Sequence, residues 1–415
     1  MQPRLSPGQM QAWANSTAYV NIWSGSVSAG KTFTWVLMML NKIMTAPSGG
    51  EIVIMGHSTS SVYRNVFKVI ESHEVMTGLA DSVQYSKNSD VATIFGRQVH
   101  VIGASNTRAA NRIQGMTIRY AFVDEGALMP EEVFKMLMTR LRAPGAQCFI
   151  TTNPGSNRHY LLTDYIQRPE LTGTYYQHMT MADNPGLPEG YAERQAGMFT
   201  GVFYKRYIEG KWVAAEGAIF DFFDEAEMVV SELPELEQSI SVGVDYGATN
   251  PTAGIALAIG TNGALYAHAE WAPRAGLRNS ELAEEFRRFH DELPAPPRFV
   301  YVDPSAKAMR EELAHHGIRT NAANNEVLDG INQLGSLLAG RQLFIHSSCQ
   351  HLLDEIPEYS WDKTAEENGQ DKPVKVADHW IDALRYAVRS SRHLWDKRLR
   401  PAQINAPKPT AHPTV

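Results

Sequence analysis

The stretch "GSVSAGKT", Gly25 to Thr32, constrains this chain more than any other eight residues. It fits the pattern G-x-x-x-x-G-K-[ST] completely. Its surroundings fit as well: "AYVNIWS" (18–24) reads as a strand, and 31–44 as a helix. A strand, a glycine-rich turn and a helix in that order form a phosphate cradle. The backbone N–H groups of Gly25, Ser26, Val27, Ser28, Ala29 and Gly30 would surround the phosphates at a helix N-terminus, where partial positive charge collects. Lys31 would reach the β- and γ-phosphates of ATP, and Thr32 would hold Mg²⁺. Such a unit belongs in an α/β fold. The runs "EIVIMG", "RYAFVDEG" and "QCFITTNP", separated by helical stretches, one of them near 60–72, predict a parallel sheet, while "ATIFGRQVHVIG" (92–103) reads as a hairpin turning at Gly96-Arg97 and the less regular 165–235 as a connecting region.

The other parts of an ATPase follow along the chain. Asp124 in "YAFVDEGA" ends an apolar strand, where a carboxylate orients the Mg²⁺ water shell. Glu125 comes next and can activate the attacking water as general base. "TTNP" (151–154) ends the neighbouring strand, placing Thr or Asn where the γ-phosphate could be sensed. Gln9 lies upstream of the loop, at the place of an adenine-reading glutamine. Arg112 and Arg140 are the candidates for a charge-neutralising arginine.

The second half differs in charge. Residues 1–210 hold 18 Lys and Arg against 15 Asp and Glu, a balance of +3; residues 211–415 hold 20 against 30, a balance of −10. Seven of those acids crowd into 221–237, so the acidity is local, and local patches matter more than sums for a phosphate-rich partner. The chain is expected to divide into a first domain at 1–210, an acidic linker at 211–237, a second domain at 238–392 and a basic, Pro-rich tail at 393–415 that is expected to be disordered. Two distant cysteines, Cys148 and Cys349, argue against a disulfide framework. No signal-peptide or membrane-spanning run is expected.

In the second domain acids stand at strand ends. Asp245 follows "ISVGV" and Asp303 follows "RFVYV". Two carboxylates on neighbouring strand ends are costly unless cations neutralise them. The helix "VADHWIDALRYAV" (376–388) adds Asp378, His379 and Asp382 within two turns, with Asp378 and Asp382 on one face. Hard carboxylates suit Mg²⁺ or Mn²⁺, and a pair of such ions clamps the attacking and leaving oxygens of a phosphodiester. Asp378 is read either as a ligand or as the helix cap, and His379 as a ligand or as a group orienting one.

With these residues in view, the chain resembles the tailed-bacteriophage terminase large subunits, most of all the PBSX-type branch. The resemblance runs from "SPGQ" through "GSVSAGKT", "YAFVDEGA", "TTNP", "DNPGLPEGY", "FYKRYIEGKW", "VGVDYGATNPTA" and "YVDPSA" to "DHWIDALRY". It implies an N-terminal P-loop ATPase of the additional-strand, RecA-like type and a C-terminal RNase H-like nuclease. It assigns Lys31, Thr32, Asp124 and Glu125 to ATP hydrolysis, and Asp245, Asp303 and Asp382 to metal binding for cleavage. It further implies double-stranded DNA, a portal protein and a small terminase subunit as partners, a homo-oligomeric ring on the portal, and the cytoplasm of an infected bacterium as location. The loop departs from some relatives in lacking an arginine after its first glycine. The rival reading is a helicase–nuclease of DNA repair, which needs a second motor domain or strand-separating motifs that the sequence does not show. A structural protein with a degenerate nuclease domain would lack part of the acid set, which is intact. An actin-like nucleotide binder would need a second phosphate loop, which is not found.

Overall fold

A computed structural model describes residues 5–400 except 88, 248–250, 275 and 377. The chain divides into two compact units. The first comprises residues up to 192, Val202–Ala214 and Glu367–Gln370; the second comprises Glu193–Gly201, Ala215–Glu366 and the chain from Asp371 onward.

Among the described residues the first unit is built on eight strands: β1 (Val20–Gly25), β2 (Glu51–Gly56), β3 (Val83–Gln84), β4 (Val91–Ile94), β5 (Arg97–Gly103), β6 (Ile118–Val123), β7 (Gln147–Thr152) and β8 (Thr174–Met179). Their order is β3-β4-β5-β2-β6-β7-β1-β8. All pairs from β5 to β8 are parallel, and the β3–β4–β5 edge is antiparallel. Every residue of β1 and β6 is buried, the polar Asn21, Ser24 and Arg119 included, as strands in the middle of a sheet covered on both faces are. Alternate residues serve opposite faces. Trp23, Phe122 and Phe149 pack with Trp35 of helix α2 (Lys31–Met44), while Ile22, Val123 and Ile150 pack with Val133 and Leu137 of helix α3 (Glu131–Arg140). Strand β7 therefore lies between the strand leading into the glycine-rich loop and the strand ending in Asp124.

Two local expectations shift. The β4–β5 hairpin turns at Phe95-Gly96 rather than Gly96-Arg97, because Ile94 pairs with Arg97 and both turn residues have positive φ (50° and 74°), as a two-residue hairpin favours. The helix expected near 60–72 is interrupted by a π-helical stretch, Tyr63–Phe67. In the region read as a connecting segment, β8 forms the sheet edge. Its half-exposed "TYYQHM" has no apolar run to reveal it.

Among the described residues the second unit has seven strands: β9 (Val229–Val230), β10 (Leu236–Asp245), β11 (Ala253–Gly260), β12 (Leu265–Trp271), β13 (Phe299–Val302), β14 (Thr320–Ala322) and β15 (Leu343–His346), in the order β14-β13-β10-β11-β12-β15-β9. The β10–β11–β12 meander is antiparallel, and β13, β14, β15 and β9 add in parallel. Val242 and Val244 pack on one face with Leu282, Phe286, Met309 and Leu313 from two helices. On the other face lies the closing helix α5 (His379–Ser390), with Ser241 Oγ donating to Ala387 O at 3.0 Å; an earlier helix, α4 (Gln350–Glu358), flanks its start. Close approach of α5 to β10 depends on Gly243, where a Cβ would collide with the Ala383 carbonyl.

Much of the expected acidic linker is built into this unit. Phe220 and Met228 are buried, β9 pairs with β15, and Leu236 already opens β10. The expected tail also starts later than residue 393. Trp395 is buried, with Nε1 donating to Val388 O, and Arg400 N donates to Gly263 O at 3.1 Å. The rest of that tail, 401–415, lies outside the described residues. Among the described residues, no helix is long and apolar enough to cross a membrane.

Candidate functional site

In the first unit the glycine-rich loop opens on a cleft. It is lined by Val27 to Phe33, Asn65, Asp124, Glu125, Thr151, Thr152, Asn153, Asn184 and Leu187. Lys31 is buried and folds back on the loop. Its Nζ donates to Gly25 O (3.0 Å), Ser26 O (2.6 Å) and Asn153 Oδ1 (3.0 Å). Burial pushes its pKa down to about 8, and the Asp124 carboxylate opposes that shift. Gly30 sits in the left-handed region at φ 79°, and a Cβ there would meet Gln9 Nε2. The loop is braced by Asn184 Nδ2, which donates to Ser28 O at 2.7 Å, and by a 2.8 Å hydroxyl pair between Ser28 and Tyr191.

Asp124 is buried, and both its oxygens accept from neutral donors. Thr151 Oγ1 reaches Oδ1 at 2.8 Å, and Asn65 Nδ2, carried by the π-helical stretch, reaches Oδ2 at 2.8 Å. Such fixing leaves one negative charge aimed into the cleft beside Lys31 and Thr32. Glu125 adopts a left-handed backbone, φ 56° and ψ 47°, a cost tolerated where the surrounding structure over-determines it. Its pKa is raised by burial and by the neighbouring Asp124, while the guanidinium of Arg64 pulls the other way. A carboxyl raised in this way is better suited to accept a proton.

In the second unit, β10 and β13 are parallel neighbours, so Asp245 and Asp303 emerge at the same sheet end. Asp303 N donates to Val244 O at 3.0 Å. Burial raises the Asp245 pKa; the hydrogen bond from His379 lowers it, and the nearby Asp382 and Asp303 charges raise it further. His379 Nδ1 lies 3.0 Å from Asp245 Oδ2, and this contact raises the histidine pKa. Asp303 accepts from Ser305 through Oδ1 and from Tyr386 OH through Oδ2 (3.0 Å). Asp382 Oδ1 takes the buried Arg385 (Nε 3.1 Å, Nη2 2.9 Å), and its Oδ2 takes Lys375 Nζ at 3.2 Å. Asp378 Oδ2 shares the same ammonium at 2.9 Å. Asp378 occupies the N-cap position of α5 but makes no capping bond. That role falls to the buried Glu355, which accepts from the backbone N–H groups of His379, Trp380 and Ile381 at 2.8 to 3.1 Å.

These two sites can be set beside known proteins. Residues 22–227 match the family model described as terminase large subunit, T4likevirus-type, N-terminal. The large terminase of a thermophilic bacteriophage superposes with a TM-score of 0.82 at 29% identity, covering 93% of this chain and 98% of that one. The same protein in complex with ATP-gamma-S superposes with a TM-score of 0.81 at 30% identity, covering 93% and 99%. Its ADP complex gives 0.82 at 29% identity, again covering 93% and 99%. The chain belongs to the terminase large subunit family. No curated protein matches it significantly. The PBSX-type branch within that family is not distinguished by these matches.

All eight residues from Gly25 to Thr32 lie in or beside the cleft with Asp124, Glu125 and Asn153. Gln9 touches the loop at Gly30, yet its Oε1 is taken by Ser6 N in the cap of helix α1 (Pro7–Asn15). Arg112 is not among the residues lining the cleft and pairs with Asp90 on the exposed surface; Arg140 is not among them either and turns to Met136. Asp245, Asp303, Asp378, His379 and Asp382 are brought to one end of the second sheet. Among the described residues, however, no group of three or more His, Cys, Asp or Glu side chains is arranged to hold one metal ion. The carboxylates are of the right chemistry for a hard divalent cation, but each is bonded to a donor of the chain's own. Sequence reasoning missed Asn65, Lys375, Arg385, Glu355 and Tyr386. Arg385 and Tyr386 stood in the quoted helix and read as its ordinary continuation. Asn65 and Glu355 act across 59 and at least 24 residues, a separation that no local pattern signals.

Proposed function

We propose that this chain is the large subunit of a viral DNA-packaging terminase, with two activities in two units. The first unit hydrolyses ATP to drive duplex DNA into a preformed shell; the second is an RNase H-like endonuclease that cuts concatemeric DNA. The observation that carries the reading is one chain holding both a complete phosphate loop with its paired acids and a set of strand-end aspartates under a closing helix. The thermophilic phage terminase with bound ADP and ATP-gamma-S supports the nucleotide part. The order β12-β11-β10-β13-β14, with the first three antiparallel and the last two parallel, supports an RNase H-like core.

At the ATPase site Lys31 would leave its loop carbonyls for the β- and γ-phosphates, and its release from Asn153 would report their arrival. Thr32 and Asp124 would hold Mg²⁺, with Thr151 and Asn65 keeping Asp124 oriented. Glu125 would take the proton of the attacking water. At the nuclease site Asp245, Asp303 and Asp382 would hold one or two Mg²⁺ or Mn²⁺ ions, with His379 orienting Asp245 and Tyr386 orienting Asp303. The metal, when bound, supplies charge neutralisation at the scissile phosphate and an activated water. A ring of copies on a portal protein, site selection by a small terminase subunit, and action in the cytoplasm of the infected bacterium complete the reading. Plasmid digestion with Mn²⁺ or Mg²⁺ tests it. Wild type should nick and linearise the plasmid, and Asp245→Ala should not; cleavage by Asp245→Ala at the wild-type rate would remove the assignment of the acid set.

A further inference from the structure

The acidic end of the second sheet contains a cation that the proposed chemistry does not use. Lys375, in the segment entering the closing helix, places Nζ 2.9 Å from Asp378 Oδ2 and 3.2 Å from Asp382 Oδ2. Both aspartate side chains are 7% exposed, whereas that of Lys375 is 60% exposed. The second cation on Asp382, Arg385, is 1% exposed and locked in place. Of the two, only Lys375 has a solvated path away from the carboxylates. A lysine is a compact point charge on a flexible stem, so it can swing out without disturbing the helix.

We propose that Lys375 is the internal counter-cation of this acid set: its ammonium holds Asp378 and Asp382 when no divalent ion is bound, competes with that ion for Asp382 Oδ2, and so sets the metal affinity of the site. The inference rests on the reading of Asp245, Asp303 and Asp382 as metal-binding acids. Two buried carboxylates side by side repel each other unless a positive charge lies between them. An ammonium meets that need but offers no open coordination position. A divalent ion that takes the same oxygen must displace it, and the cost of displacement lowers the apparent affinity. Because α5 is also fixed by Glu355, loss of the lysine leaves the helix in place.

The test is Mn²⁺ binding to the full chain without nucleotide or DNA, read from the free-ion electron paramagnetic resonance signal at fixed pH and salt. Binding at this site is the part that Asp245→Asn removes. Lys375→Met should bind Mn²⁺ about fivefold more tightly than wild type, the scale of one partly exposed ion pair. Lys375→Arg, which keeps a cation in place, should stay within about twofold of wild type. Without metal, Lys375→Met should also melt at a lower temperature, and Mn²⁺ should raise that temperature more than it does in wild type. An affinity for Mn²⁺ in Lys375→Met equal to or weaker than wild type, with Asp245→Asn still losing binding, would overturn the inference alone. Equal Mn²⁺ binding by wild type and Asp245→Asn would overturn the underlying reading and the inference with it.

Discussion

Asp124 and Asp382 show two ways of preparing a buried carboxylate. Asp124 is held by the uncharged Thr151 and Asn65, so its negative charge remains available to a cation in the cleft. Asp382 is held by Arg385 and Lys375, so its charge is already balanced. The difference lies in the partners and not in the residue type, and no local spacing in the sequence shows it. A buried histidine elsewhere gives a test at the same scale. His268 in β12 is buried, and its Nε2 has no hydrogen-bond partner among the described residues. Burial, followed by the nearby His346, lowers its pKa from 6.5 to about 4. The folded chain therefore keeps His268 neutral at pH values where the unfolded chain takes up a proton. Stability that is fully present above pH 6.5 should be lost as the pH falls toward 4, by up to about 3 kcal/mol. Urea unfolding across that window should show His268→Phe losing less stability than wild type; parallel profiles for the two would contradict the account.

The closing helix shows what was legible at the level of elements. Its apolar positions at helical spacing announced a packed helix, and its acids announced a site. Both features are local, so sequence spacing carries them. What holds the helix is not local. Gly243 sits inside an apolar strand and gives no sign that a helix backbone passes over it, and the cap comes from Glu355 on α4 rather than from Asp378. The same limit hid β8, whose half-exposed residues carry no strand pattern although it pairs with β1 along its whole length. By contrast, β1, β2, β6 and β7 were readable because strands buried on both faces are predominantly apolar. Gly243→Ala tests the packing. The added methyl group collides with helix backbone, which cannot yield as a side chain can, so destabilisation of about 1–3 kcal/mol is expected. Cleavage should fall with it, because Asp378, His379 and Asp382 ride on the displaced helix, while ATP hydrolysis in the first unit should be retained. An unaltered melting profile would show that the helix does not depend on this close approach.

Across the whole molecule, the described residues form two sheets, each covered on both faces, in a chain whose two halves differ in charge. The net charge of −7 is not spread evenly over the chain. Seven Asp and Glu and no Lys or Arg stand at 221–237, a segment that the second unit takes into its own structure, so the negative charge is concentrated there. On the proposed function, ATP hydrolysis and DNA cleavage belong to separate sites on one chain. The most direct measurement assays phosphate release and plasmid cleavage in the same preparations of wild type, Lys31→Ala and Asp245→Ala. Lys31→Ala should lose phosphate release and keep Mn²⁺-dependent cleavage, and Asp245→Ala should do the reverse. Loss of both activities in either folded variant, or survival of both in either, would contradict the claim.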